Sequence, residues 1–204
     1  MSSHGYIPLV KEHVRRIPVG REVTVLEVGI DRGTMLFPIV AHLARTRESF
    51  LFVGVDVAVQ EQVLVVLSNL DLTPAQRVAL VEGNSMKALP RLVEQGMSFD
   101  VVLIDGDHNY HTVSSELEHL GSLANHGSLV IVDDYGGRWS DRDLWYSERP
   151  GYEANEHVTA RVETQKHGVK AAVDDWLTAH PEWTGTQPLK GEPIVLTRQH
   201  SQRS

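Results

Sequence analysis

The sequence FDVVLIDGDHNYHTVSSELEHLGSLANHGSLVIVDDY, residues 99–135, contains the clearest pattern of secondary structure in the chain. It predicts a strand, a helix and a second strand, and each strand is an apolar run typical of a parallel sheet buried on both faces. The runs stop at Asp105-Gly106-Asp107-His108 and at Asp133-Asp134. In a right-handed crossover both strands end at the same edge, where open α/β sheets bind ligands. We therefore expect these carboxylates to converge, and their repulsion favours a bound cation or a shared proton.

The rest of the chain alternates between strands and helices in the same way. Apolar runs predict strands at 23–30, 50–56 and 79–82, and helices at 34–45, 59–70 and 86–95. A short amphipathic helix is expected in a lead segment, residues 1–20. Residues 136–165 show little periodicity, and they are followed by a predicted helix at 168–179. Two predicted strands, 183–189 and 193–198, are joined by a turn at 190–192 as a hairpin.

Composition limits the classes of function. The chain has 204 residues, of which 41% are hydrophobic, which predicts one α/β domain over residues 1–204. The absence of cysteine excludes disulfides and fits a cytoplasmic location. We expect no signal segment and no membrane span. A net charge of −8 without a basic block argues against a nucleic-acid partner, favours a small-molecule substrate and is compatible with a homo-oligomer.

The segment after the first strand carries a resemblance to a known family. Residues 27–33, EVGIDRG, match the E-x-G-x-x-x-G pattern of class I S-adenosylmethionine-dependent methyltransferases, and Asp56 ends the second strand where that family holds an acidic residue. The resemblance implies a Rossmann-like, mostly parallel seven-stranded sheet with an antiparallel C-terminal hairpin and helices on both faces. It also implies S-adenosylmethionine as cofactor, bound by Glu27, Gly29, Gly33, Asp56, Asn84, Ser85 and Asp105. The glycines alone could equally form an ordinary strand-helix turn.

The acidic strand ends resemble a narrower group, the metal-dependent O-methyltransferases of natural-product pathways that include the macrocin and aminocoumarin sugar enzymes. This resemblance implies that Asp105, Asp133 and Asp134 bind Mg²⁺, and carboxylate oxygens do select a hard cation. Adjacent residues on a regular strand point to opposite faces, so Asp133 and Asp134 can share a metal only if the chain turns there. Alternatively, one of these aspartates caps the following loop while the other contacts cofactor.

Two neighbouring residues are candidates for the catalytic base. Asp107 holds the second position of D-G-D, which is the candidate base in the resembling group, while the ordinary pKa of His108, near ~6.5, suits proton transfer at neutral pH. In the alternative, Asp107 or His108 only caps the helix that begins near Asn109.

Together these features predict methyl transfer from S-adenosylmethionine to a hydroxyl group of a sugar or a phenol-like small molecule. Residues 136–165 would form a lid or a wall for the acceptor, with aromatic side chains at Trp139, Trp145, Tyr146 and Tyr152. Each aromatic could instead pack the insert onto the core. Two other functions fit a similar sheet: a non-catalytic S-adenosylmethionine-binding protein and a nucleotide-dependent oxidoreductase.

Overall fold

A computed structural model describes residues 6–187 and 193–199. The seven strands are β1 (Val23–Val28), β2 (Phe50–Asp56), β3 (Gln76–Glu82), β4 (Phe99–Ile104), β5 (Ala124–Val132), β6 (Trp183–Thr186) and β7 (Ile194–Arg198). The helices are α1 (Ile7–Arg16), α2 (Leu36–Thr46), α3 (Glu61–Ser68), α4 (Ser85–Glu94), α5 (Tyr110–Leu117), α6 (Leu120–Leu123) and α7 (Gly168–Ala179). A 3-10 helix covers Tyr146–Glu148.

The strands form one sheet in the order β3-β2-β1-β4-β5-β7-β6. The first five strands in this order pair in parallel, whereas β7 pairs antiparallel with both β5 and β6. The sheet order reverses between β1 and β4, which is where open α/β sheets place their ligand site. The predicted fold class is therefore confirmed.

Side chains alternate between two hydrophobic cores, one on each face of the sheet. Val101 and Leu103 of β4 pack with α1, α2 and α3, while Val102 and Ile104 pack with α4, α5, α6 and α7. β5 follows the same two-residue period. Helices therefore cover both faces, which is why these central strands read as continuous apolar runs.

Element boundaries differ from the sequence predictions for local reasons. The strand predicted at 23–30 ends at Val28, because Gly29 takes a φ of +89° and turns the chain. The strand predicted at 79–82 begins at Gln76, whose amide donates to the carbonyls of Ala44 and Arg47 at 3.1 and 2.7 Å. Because this strand begins with a polar residue that is held by tertiary hydrogen bonds, a prediction based on apolar runs places its start too late. The turn predicted at 190–192 lies outside the described residues.

Among residues 6–187 and 193–199, no helix is both long enough and apolar enough to cross a membrane.

Candidate active site

A cleft opens at the carboxyl ends of β1, β2, β3 and β4. Its walls include sequence-predicted site residues from four separate segments, namely Gly29, Asp56, Asn84, Ser85, Asp105 and Asp107. The sheet topology thus brings together residues that lie up to 78 positions apart in the chain.

The turn after β1 depends on Gly29. Its φ is +89°, and a Cβ built on it would lie 2.1 Å from the carbonyl oxygen of Asp105 and 2.7 Å from the Cα of Gly106. Only a glycine fits this approach, because it has no side chain and tolerates positive φ. Gly33 also has a positive φ, +77°, and a Cβ there would meet the Phe37 ring at 2.6 Å. Gly29 therefore allows the turn to pack directly on the end of β4, while Gly33 leaves room for Phe37 of α2.

Asp56 ties the ends of β1 and β2 together. Its Oδ2 accepts from the backbone N–H groups of Ile30 and Asp31 at 2.7 and 2.9 Å, and its Oδ1 accepts from Ala58 at 2.9 Å. A carboxylate has about four acceptor positions, so one remains for a ligand. Asp56 therefore orders the turn that forms the cleft as well as lining it.

Glu27 is buried beneath this turn with only 1% of its surface exposed. Burial, together with nearby Asp105 and Asp56, raises the pKa of Glu27 well above its ordinary value. Its Oε2 has no hydrogen-bond partner among the described residues. An unpaired buried oxygen is costly, and such groups usually mark a site that a ligand, ion or water completes.

Asn84 and Ser85 form the start of α4. The Oδ1 of Asn84 accepts from the N–H of Met86 at 2.9 Å, so Asn84 is the N-cap of this helix. Its Nδ2 donates to the carbonyl of His157 at 2.8 Å and to the hydroxyl of Thr159 at 3.1 Å. Both donor hydrogens of the amide are thus used within the protein.

Acidic residues at the ends of β4 and β5 meet around His108. Ligand atoms of Asp105, His108 and Asp133 all lie within 4.8 Å of one another. Asp134 has a φ of +55°, so the chain does turn between the two aspartates, but Asp134 does not belong to this group. Instead its Oδ1 accepts from the N–H of Arg138 at 2.9 Å, and its Oδ2 lies 3.9 Å from Nδ1 of His108.

Burial changes the protonation of this region. Burial, with a smaller contribution from the neighbouring Asp134 and Asp31 carboxylates, raises the pKa of Asp105 to about 8. Burial lowers the pKa of His108, although Asp134 acts in the opposite direction. Several acidic groups that repel one another in a desolvated cleft are the arrangement that a bound cation would relieve.

The helix after this region is capped by Asn109, whose Oδ1 accepts from the N–H of Thr112 at 2.8 Å. The alternative in which Asp107 or His108 provides the cap is therefore wrong. Asp107 lines the cleft and accepts from the N–H of Tyr146 at 3.3 Å. Burial raises the pKa of Asp107 to about 6, although hydrogen bonds from Tyr146 and neighbouring side chains lower it.

Residues 136–165 cross over the cleft. Tyr146 and Tyr152 line it and meet edge to face with ring centroids 5.1 Å apart, whereas Trp145 is buried away from it. Asn155 donates to the carbonyl of Val57 at 2.9 Å, and Leu144 donates to the carbonyl of His108 at 3.0 Å. The insert thus forms one wall of the cleft, and it is fastened at both sides.

One cleft residue, Glu116 of α5, was not predicted from the sequence. Only 1% of its surface is exposed, and neither of its carboxyl oxygens has a hydrogen-bond partner among the described residues. Burial raises the pKa of Glu116 to about 8, with the Ser85 hydroxyl acting to lower it and Asp107 to raise it. A signal was present, because Val113, Glu116 and Leu117 share one face of α5, and a carboxylate on an apolar face is unusual.

The sequence of residues 26–135 matches the family described as "Methyltransferase domain". This segment is more than half of the chain and contains the glycine turn, Asp56, Asp105 and Asp133. The chain belongs to the methyltransferase domain family. No curated protein sequence matches this methyltransferase.

Solved structures share its fold at low sequence identity. The TDP-rhamnose 3′-O-methyltransferase of calicheamicin biosynthesis is 15% identical with a TM-score of 0.58, over 94% of this chain and 77% of its own. MycE of the mycinamycin pathway, solved with Mg and S-adenosylhomocysteine (SAH), is also 15% identical with a TM-score of 0.58. The match covers 99% of this chain but only 52% of MycE, so the chain spans about half of that protein. Human methyltransferase-like protein 13 in complex with SAH is 12% identical with a TM-score of 0.56, over 100% and 85% of the two chains.

Proposed function

We propose that the chain transfers the methyl group of S-adenosylmethionine to a hydroxyl oxygen of a small molecule, with the help of Mg²⁺. The observation that carries this proposal is the meeting, in one cleft, of the glycine turn with the carboxylates at the ends of β2 and β4. The family match favours methyl transfer over an oxidoreductase on a similar sheet.

The cleft fits the cofactor on features of its own. Gly29 lines the cleft, and its lack of a Cβ lets the turn lie directly against the β4 end, where Asp105 lines the cleft beside it. The unpaired Oε2 of Glu27 is a buried acceptor below that turn, which suits the positively charged amino group of the methionine portion. We propose Glu27, Gly29, Gly33 and Asp105 for the methionine portion, Asp56 for the ribose, and the Asn84-Ser85 segment for the adenine.

The group of Asp105, His108 and Asp133 fits a divalent cation. Its donor set of two carboxylates and an imidazole suits Mg²⁺ or Mn²⁺, and Mg²⁺ commonly uses one or two carboxylates together with water and substrate oxygens. Asp134 lies next to this group, 3.9 Å from His108, and we propose that it orients the imidazole rather than binding the metal.

S-adenosylmethionine supplies a methyl group on a positively charged sulfur, and Mg²⁺ supplies a Lewis acid that makes a hydroxyl more acidic. The chain's own residues then orient the acceptor and remove its proton. Asp107 lines the cleft between Asp105 and the insert, whereas His108 does not line it. We therefore assign the base to Asp107, with His108 as its competitor, and the acceptor wall to Tyr146 and Tyr152.

Turnover tests this proposal. The protein is incubated with S-adenosylmethionine and a panel of sugars and phenols, and formation of SAH is measured with and without EDTA. We expect metal-dependent turnover with at least one hydroxylated acceptor. SAH binding without any turnover would instead support the non-catalytic binding protein.

The Asp56→Ala variant is expected to bind SAH about 10- to 100-fold more weakly, because hydrogen bonds to a charged group contribute about 1.5–3 kcal/mol. The variant also leaves the N–H groups of Ile30 and Asp31 without their acceptor, so the turn loses its order. Isothermal titration measures the affinity, and Asp71→Ala, an exposed aspartate outside the cleft, is the matched control. Equal affinities in the two variants would refute the ribose assignment.

The insert is expected to open locally when the cleft is empty. Trypsin cleavage at Arg138, Arg142 or Arg149 should therefore slow when SAH is present, because a ligand that contacts Tyr146 and Tyr152 stabilises the closed state. Mass spectrometry of the fragments measures the rate, with GMP as a control nucleotide. Equal rates with SAH and GMP would mean that the segment is a fixed wall rather than a lid.

A further inference from the structure

Glu116 is a buried acid at the cleft that the proposed reaction does not use. It projects from α5 to the point where the first turn of α4 meets the β4–α5 loop. A Cβ built on Gly106 would lie 3.8 Å from its Oε1, which is van der Waals contact, so Glu116 lies against the β4–α5 loop. Neither oxygen has a hydrogen-bond partner within 3.5 Å among the described residues, although the residue is 1% exposed and the Ser85 hydroxyl is near enough to lower its pKa. A pair of unsatisfied buried oxygens facing a cleft indicates that the ligand provides their partners.

The protonation of Glu116 restricts the chemistry of that ligand. Burial raises the pKa of this carboxyl to about 8, so the side chain carries a proton at neutral pH. A neutral carboxylic acid offers one O–H donor beside one carbonyl acceptor. Its best partner therefore presents a donor next to an acceptor on a flat edge. The adenine ring does so, because its 6-amino group lies beside ring nitrogens.

The neighbouring residues also favour a position of the adenine beside Glu116. Asn84 cannot read the base through its side-chain donors, since both are used by His157 and Thr159. If Asp56 holds the ribose and the reacting methyl lies near Asp105, the base falls on the remaining wall, which is formed by Val57, Ser85, Thr159 and Glu116.

We infer that Glu116 recognises the adenine of the cofactor by a pair of hydrogen bonds, accepting from the 6-amino group and donating to a ring nitrogen. This inference rests on the proposed function. It makes Glu116 a residue that determines cofactor specificity, and it explains why an acid is kept on the apolar face of α5.

Two variants and one cofactor analogue test the inference by isothermal titration of the full chain. Glu116→Gln keeps a donor beside an acceptor and should bind SAH within about threefold of the unmodified protein. Glu116→Leu removes both and should weaken binding roughly 10- to 100-fold. Removing an unpaired acid from the core should not lower the melting temperature, and this separates lost recognition from misfolding.

The analogue is SAH whose purine lacks the 6-amino group. The unmodified protein and Glu116→Gln should each bind the analogue about fivefold more weakly than they bind SAH. Glu116→Leu should bind the analogue as well as it binds SAH, which is the result that a double-mutant cycle gives for a direct contact. An equal loss in all three proteins, unchanged SAH binding by Glu116→Leu, or a Glu116→Gln variant as weak as Glu116→Leu would overturn the inference. If the unmodified protein bound no SAH, the proposed function itself would fail, and this result is distinct from the others.

Discussion

Replacing Gly29 with alanine is expected to abolish cofactor binding and to lower the free energy of unfolding by about 3 kcal/mol or more. Two separate costs add at this position. The positive φ of +89° is unfavourable for any residue with a Cβ, and that Cβ would lie 2.1 Å from the carbonyl oxygen of Asp105. Relief of the clash must displace the end of β4, which carries Asp105 and Asp107.

Gly20 provides a matched control for this variant. Its φ is +90°, nearly the same as that of Gly29, but a Cβ there would meet nothing within 4 Å. Gly20→Ala should therefore cost only about 1 kcal/mol and leave SAH binding unchanged. Thermal denaturation and titration with SAH compare the two variants. Similar stability and affinity in both would show that the close approach of the turn to β4 is unimportant.

The Asp133→Asn variant is expected to lower the rate of methyl transfer by about 100-fold or more, because a Lewis-acidic cation contributes several kcal/mol to such a reaction. The substitution preserves the shape of the side chain while it removes the charge. We expect Mg²⁺ to raise the melting temperature of the unmodified protein and to have no such effect on this variant. SAH binding should persist, since Asp133 is not among the residues that line the cleft.

Asp141→Asn is the control for this charge change. Asp141 is exposed in the same region of the chain, and its variant should keep full activity and the full response to Mg²⁺. Full activity of Asp133→Asn, or of the unmodified protein in excess EDTA, would remove the metal from the account and leave proton transfer by Asp107 or His108.

The fold was predictable because the strongest sequence signals are local. Apolar runs such as Val101–Ile104 can be buried only between two layers of helices, and the parallel order of β1 to β5 follows from the helices between them. Boundaries were less predictable, because residues such as Gln76 join a strand through partners more than 25 positions away in the chain.

The candidate site was predictable only where strand ends bring residues together. Asp105 and Asp133 follow adjacent parallel strands, so their convergence follows from topology alone. The place of His108 in that group depends on the path of the loop after β4, and the departure of Asp134 depends on one residue with positive φ. The sequence alone does not predict either of these local conformations, so it does not show whether His108 or Asp134 joins Asp105 and Asp133.

Glu116 and the insert show a different limit. In sequence Glu116 is one more acidic residue of a short helix, and only the packing of α5 shows that it is buried at the cleft. In sequence Tyr146 and Tyr152 cannot be separated from Trp139 and Trp145, because the insert has no periodicity. The structure divides the group, since the tyrosines line the cleft and the tryptophans pack beside α5 and α7.

Titration of the full chain and of Gly29→Ala with SAH requires neither the acceptor nor the metal, so it isolates cofactor binding at the glycine turn. We expect saturable binding at one site per chain, a rise in the melting temperature of the unmodified protein, and no binding by Gly29→Ala. No binding of SAH or S-adenosylmethionine by the folded, unmodified protein would contradict the proposed function.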